Sequence, residues 1–182
     1  MALVNTYSST TTVSPSRPSA CLVATSCLSA YLPKPAVYGL RFCATGLNGL
    51  KRSLTAQEIV DQVLHVSNDF GERATSVVFM GQGEPFANYD EVLKALRILN
   101  DPDGIGIGAR HLTVSTSGVI PGIRKFADIP EQFTLAVSLH SAIQSTRNKL
   151  MPGVRSTRFC AFTRPFSSTP KRPAAVRHTN TP

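Results

Sequence analysis

The chain has 182 residues, of which 42% are hydrophobic, and carries a formal charge of +8 at pH 7. That suffices for one core or part of a larger one, and no apolar run approaches the roughly 18 residues of a membrane helix. All eleven acidic residues lie between Glu58 and Glu131, where six Lys/Arg leave a net −5, so the thirteen other basic residues sit in acid-free flanks. The basic character therefore belongs to the flanks, where it suits either nucleic-acid contact or disorder. Four widely spaced cysteines (Cys21, Cys27, Cys43, Cys160) form no CxxC pair. They exclude a disulfide framework of the secreted kind and point to a reducing, intracellular compartment.

Residues 1–35 are rich in Ser, Thr and Pro. The composition fits an organellar transit peptide, but Arg17 and Lys34 are its only basic residues, which favours a disordered or mis-assigned leader. At Phe42-Cys43-Ala44-Thr45-Gly46 the texture changes, and a core is expected over 36–154. Thr55-x-x-Glu58 has capping-box spacing, followed by Ile59, Val60, Val63, Leu64 and Phe70 on one helical face and by Gly71 at the helix end. A strand follows from about Thr75 to Met80 and runs into Gly81-Gln82-Gly83-Glu84-Pro85. Asn88-x-x-Glu91 repeats the capping signal, Val92, Leu93, Leu96 and Leu99 form the next apolar face, and Asp101-Pro102-Asp103-Gly104 ends the helix.

His111–Thr116 reads as a second strand ending in Ser117-Gly118, then a short helix over Ile120–Ala127 with Ile123 and Phe126 inward. Phe133–Leu139 reads as a third strand ending at His140, and one or two helical turns are expected over Ser145–Leu150. Strands alternating with helices predict βα repeats and a parallel sheet. Three strand ends then present Gly83-Glu84, Ser115-Thr116 and Ser138-Leu139-His140 to one ligand. Gly104-Ile105-Gly106-Ile107-Gly108 has GxGxG spacing and precedes a strand, so it reads as a flexible loop and not a dinucleotide fingerprint. Residues 155–182 set Arg155, Arg158, Arg164, Lys171, Arg172 and Arg177 among Pro, Ser and Thr. A disordered tail is the preferred reading there, with a basic RNA-binding arm as the other.

FCATG, the Gly49–Thr55 run, MGQGEP with Asn88-Tyr89 behind it, TVSTSGV and AVSLH together resemble the radical S-adenosylmethionine (SAM) methyltransferases that methylate adenine C2 in 23S ribosomal RNA and, in some members, tRNA. The resemblance covers roughly Phe42 to Val154, in the right order. It implies an α/β fold, a partial (β/α) barrel, incomplete here and with disordered flanks. It also implies SAM and a [4Fe–4S] cluster as cofactors, a flavodoxin-type electron donor, no membrane, a monomer, and a cytoplasmic location (organellar if residues 1–34 are a transit peptide). Gly83 and Glu84 resemble the family's grip on the methionine part of SAM. Ser115, Ser138, Leu139 and His140 resemble its other SAM contacts. A carboxylate accepts from an ammonium, while hydroxyls and backbone groups hold a carboxylate or ribose. Taken singly, each serine also reads as a strand-end cap and His140 as a structural histidine.

In the family a reduced cluster, held by Cys-x3-Cys-x2-Cys, cleaves SAM to a radical that starts methyl transfer to an unreactive carbon. Cys43 matches the third of those cysteines, but Ala36 and Leu40 occupy the other two positions. Cys27-Leu28-Ser29 resembles the run that carries a catalytic cysteine upstream of the motif, although it lies two residues too far from Cys43. The family's C-terminal cysteine has no matching context around Cys160, and its N-terminal RNA-binding domain has no counterpart. Truncation or frame errors around a genuine core are the expected cause of these departures. The alternative to an active enzyme is a cluster-free remnant that binds SAM or RNA at most weakly.

Overall fold

The computed structural model describes residues 20–23, 27–29, 50–81, 83–154 and 176–179. In chain order its main elements are β1 (Ala20–Val23), β2 (Cys27–Ser29), β3 (Leu50–Ser53), α1 (Ala56–Phe70), β4 (Ala74–Phe79), α2 (Tyr89–Asn100), β5 (Leu112–Thr116), α3 (Ile120–Ala127), β6 (Thr134–Ser138), α4 (Gln144–Leu150) and β7 (Val176–Thr179). Of the expected leader and tail, only β1, β2 and β7 lie within the described residues.

Thr55 and Glu58 close the capping box that their spacing predicts. The Thr55 hydroxyl accepts from the Glu58 N–H, and the Glu58 carboxylate takes the Thr55 N–H at 2.9 Å. Ile59, Val60 and Val63 are buried, whereas Leu64 and Phe70 are exposed, so the apolar face of α1 is narrower than its sequence suggests. The second capping signal serves a different purpose. Asn88 stands at the N-cap of α2 without a side-chain cap bond. Instead its amide donates to the Leu54 carbonyl at 2.7 Å, and the Glu91 carboxylate takes the Ala56 N–H at 2.6 Å. Glu91 thus satisfies an orphan N–H at the start of α1, and the two bonds together lock that start to α2.

Strands β1, β4, β5, β6 and β7 form one sheet in that order, and every neighbouring pair is parallel. The order never reverses, as in a consecutively wound (β/α) barrel and unlike a doubly wound sheet. β2 and β3 form a separate antiparallel ribbon. Period-two alternation divides the faces of the sheet. Val77 and Phe79 of β4, Leu112 and Val114 of β5, and Leu135 and Val137 of β6 join the core with Val63, Leu96, Leu99, Ile123 and Phe126 from the helices. Ser76, Val78, Thr113, Ser115, Thr134 and Ser138 alternate with them and are only half-buried. The apolar run before the first glycine is therefore not buried on both sides, and Met80 is exposed.

The GxGxG stretch, read as a flexible loop, is a loop tied to its surroundings by hydrogen bonds. The Ile107 N–H bonds to the Leu99 carbonyl at 2.8 Å, Asn100 donates to the Ile107 carbonyl, Arg73 donates to the Ile105 carbonyl, and the Ile107 side chain is buried. Beneath α3, Phe86 and Phe126 meet with ring centroids 5.5 Å apart. Gly122 makes that approach possible, because a Cβ there would lie 2.5 Å from the Phe86 Cβ.

Two predictions follow from this packing. Gly122→Ala should destabilise the fold by about 1–3 kcal/mol through overpacking, read by urea denaturation; an unchanged midpoint would mean that α3 can move off Phe86. The second concerns the Arg52–Glu58 ion pair, in which Arg52 bonds both carboxylate oxygens of Glu58, one at 2.7 Å. The Arg52 hydrogen bond, followed by the Thr55 backbone bond, holds the Glu58 carboxyl at about 2, below its ordinary 4.5. A depressed carboxyl stabilises the fold above its ordinary titration and loses that contribution as pH falls through the folded value. Both side chains are more than a third exposed, so screening keeps the effect small. Glu58→Gln should lower Tm at pH 6, and the gap to the parent should close between pH 4.5 and about pH 2. A gap independent of pH would assign the loss to the cap alone.

Candidate functional site

The parallel order brings the C-terminal ends of β4, β5 and β6 side by side, and Glu84 joins the first two. It lies just beyond β4, at the N-cap of a 3-10 turn over Pro85–Asn88, and accepts from the Phe86 N–H at 3.2 Å. The same oxygen, Oε1, accepts from the Thr116 hydroxyl at 2.7 Å. Oε2 accepts from both the N–H and the hydroxyl of Ser117, at 2.8 and 2.7 Å. Four donors thus converge on a group with about four acceptor positions. Thr116 and Ser117 are themselves buried, and the Thr116 hydroxyl also takes the Gly118 N–H at 3.1 Å. Glu84 is therefore first a bracket between two strand ends. An incoming ammonium would reach it by replacing one of the hydroxyl donors, both of which can rotate.

Gly83, before the bracket, is exposed and has φ 98, in the left-handed region that a side chain would strain. Its backbone is consequently open to a ligand. Across β5 and β6, the Ser115 and Ser138 hydroxyls lie 3.3 Å apart on the half-buried face. Leu139 is half-buried, and its carbonyl takes the Ser141 N–H at 2.7 Å. His140 is the one described non-glycine residue with positive φ, at 57. Burial, and then the Arg147 charge, lower its imidazole pKa from the ordinary 6.5, which favours the neutral ring. All six residues expected to contact SAM thus stand at the ends of three adjacent strands, with hydroxyl pairing between β5 and β6 and a carboxylate tie between β4 and β5.

Sequence reasoning missed Ser117 and Arg147, and it placed Thr116 at a strand end without its partner. Thr116 and Ser117 lie within TVSTSGV, but their engagement with Glu84 depends on a contact more than thirty residues distant in sequence. Arg147 is wholly buried on α4 and donates through Nη2 to the Ser117 carbonyl at 2.7 Å. Nothing in the Gln144–Leu150 run marks this arginine, since arginines are usually exposed.

Cys27 stands in β2 opposite Ser53, in the ribbon outside the five-stranded sheet. The strand flanking β4 is β1, in which Cys21 pairs with Ser76. Cys43, Ala36, Leu40 and Cys160 lie outside the described residues. Among the described residues no group of three or more His, Cys, Asp or Glu could hold a metal ion. The strand-end residues fit SAM, offering a carboxylate, paired hydroxyls and open backbone to a zwitterion with a ribose. The cluster motif does not fit, because two of its three positions carry no thiol.

Replacing Glu84 tests the bracket. Glu84→Gln removes the charge and turns an amide N–H toward donors, and the loss should be about 1–3 kcal/mol of stability by chemical denaturation. No measurable loss would show that Thr116 and Ser117 do not depend on the carboxylate.

A family model described as the radical SAM superfamily matches residues 41–164. A probable dual-specificity RNA methyltransferase RlmN of Symbiobacterium thermophilum is 50% identical over 119 residues, which cover 64% of this chain and 32% of that protein. The protein of the same name from Geobacillus kaustophilus is 56% identical over 117 residues, covering 63% of this chain and 32% of its own length. The chain thus spans about a third of the length of these relatives. A crystal structure of a radical SAM methyltransferase from Sphaerobacter thermophilus superposes with a TM-score of 0.69 at 38% identity, over 78% of this chain and 40% of that one. No helix among the described residues is long and apolar enough to cross a membrane. With its parallel βα units and this match over most of its core, the chain belongs to the radical SAM superfamily.

Proposed function

We propose that the strand-end pocket is the SAM site of an RNA methyltransferase directed at C2 of adenosine in 23S rRNA, with tRNA as a further substrate. The observation that carries this reading is the Glu84 bracket beside Gly83 and the Ser115–Ser138 pair. In this reading Gly83 and Glu84 take the methionine end of SAM, while Ser115, Ser138, Leu139 and His140 line the remainder. When bound, SAM supplies the methyl group. The chain's own residues bind and orient it: the bracket holds the two strand ends together, and the lowered imidazole pKa of His140 works against added positive charge beside a sulfonium. Names shared with the RNA methyltransferase relatives support RNA as the substrate class. The full assignment includes a flavodoxin-type electron donor, a monomeric state and a cytoplasmic location.

A second reading is favoured by one specific observation. With Ala36 and Leu40 in place of two cluster cysteines, and with Cys27 in a separate ribbon, the chain holds SAM without assembling the iron–sulfur centre. The activity then resides in proteins that carry the full thiolate set.

Equilibrium binding of radiolabelled SAM to the folded chain is the direct test. We expect saturable binding that weakens on the order of tenfold or more in Glu84→Ala, as for loss of a hydrogen-bonded charged group. A folded chain with no saturable SAM binding would refute the pocket assignment. Anaerobic iron–sulfide reconstitution separates the two readings. About four irons per chain with the absorbance of a [4Fe–4S] centre would overturn the cluster-free one.

A further inference from the structure

Arg147 has no role in the motifs that define the pocket, yet it is the most deeply buried charged side chain among the described residues, with no exposed surface. A cation removed from water persists only where hydrogen bonds compensate its lost hydration. Its Nη2 donates to the Ser117 carbonyl at 2.7 Å. The N–H and hydroxyl of that same serine both donate to Glu84. Ser117 is therefore held from two directions: the guanidinium fixes its carbonyl, and the carboxylate fixes its N–H and side chain.

The backbone of Arg147 is equally well anchored. Its N–H bonds to the Ile143 carbonyl at 2.9 Å, and its carbonyl takes the Met151 N–H at 2.8 Å. α4 follows β6, so the guanidinium carries a constraint from the third βα unit to the loop after β5, and through Ser117 to the turn after β4.

We propose that Arg147 is a positioning residue for the pocket, which holds the Ser117 peptide so that its N–H and hydroxyl stay aimed at Glu84. The geometric part of this proposal is independent of the ligand; its consequence for binding rests on the SAM reading above.

Amide hydrogen exchange in the full chain, resolved by residue, tests it without any ligand. In Arg147→Met the Ser117 amide should exchange on the order of tenfold faster, as expected for a weakened hydrogen bond to a charged group, while Leu96 and Val114 hold within about twofold. Arg147→Lys keeps the charge and one donor on a shorter reach, so Ser117 should show an intermediate rate. Unchanged Ser117 exchange in either folded variant overturns the proposal. So does a uniform acceleration at Ser117, Leu96 and Val114, which would mark Arg147 as a general core residue. If Arg147→Met does not fold, Arg147→Lys decides by the same local-against-global comparison. If the parent binds SAM, the dissociation constant should rise in the order parent, Lys, Met. A parent that does not bind SAM removes the pocket reading but leaves the exchange result to judge the positioning role.

Discussion

Glu84 carries the constraint on which the site depends. A carboxylate just beyond one strand accepts from a hydroxyl at the end of the next strand, and from a peptide N–H and a hydroxyl one residue further on. Parallel strands share hydrogen bonds along their length, but their ends are free to splay. A charged acceptor with four donors removes that freedom at the edge where a ligand would sit. Charge-assisted bonds of this kind are stronger than neutral ones, and partial burial strengthens them further. The Ser115–Ser138 pair continues the tie to β6, and the Arg147–Ser117 bond braces it from α4.

The same economy of polar groups operates just after the turn. Glu91 takes the first N–H of α1 and Asn88 the Leu54 carbonyl, which fastens Leu54–Ala56 to the segment that follows Glu84. Leu54 and Ala56 are in this way fixed against the start of α2. Five residues after Glu84, Tyr89 starts α2, while Phe86 packs under α3 in the space left by Gly122. A short stretch of sequence thus organises polar contacts on one flank and aromatic packing on the other.

The two halves of the expected chemistry differ in how far they are represented. The half proposed to bind SAM is built from contacts that support one another, whereas Ala36 and Leu40 break the motif for iron, and Cys27 lies in a ribbon apart from the sheet. SAM binding requires hydrogen-bonding shape, which a parallel sheet and one carboxylate supply. A [4Fe–4S] centre requires three thiolates at once, and no other arrangement of the sheet replaces them.

Much of the fold was legible in local chemistry. The capping box at Thr55, the helix over Ile120–Ala127 and the βα alternation follow from spacing alone, because caps and periodicities act over a few residues. The five motifs that identify the superfamily were equally legible, since they are short and linear. Only the tertiary structure decided how the polar residues are used. Asn88 and Glu91 read as a local cap but serve another helix, and Leu64 and Phe70 read as core but lie exposed. The GxGxG run read as a flexible loop, but a buried Ile107 anchors it. Glu84 read as a ligand grip, whereas its observed partners make it a bracket between strand ends, and Arg147 gave no signal at all. The physical reason is common to all of these. A hydrogen bond or buried charge is settled by partners remote in sequence, so residue type names the available chemistry and the assembled sheet chooses the partner.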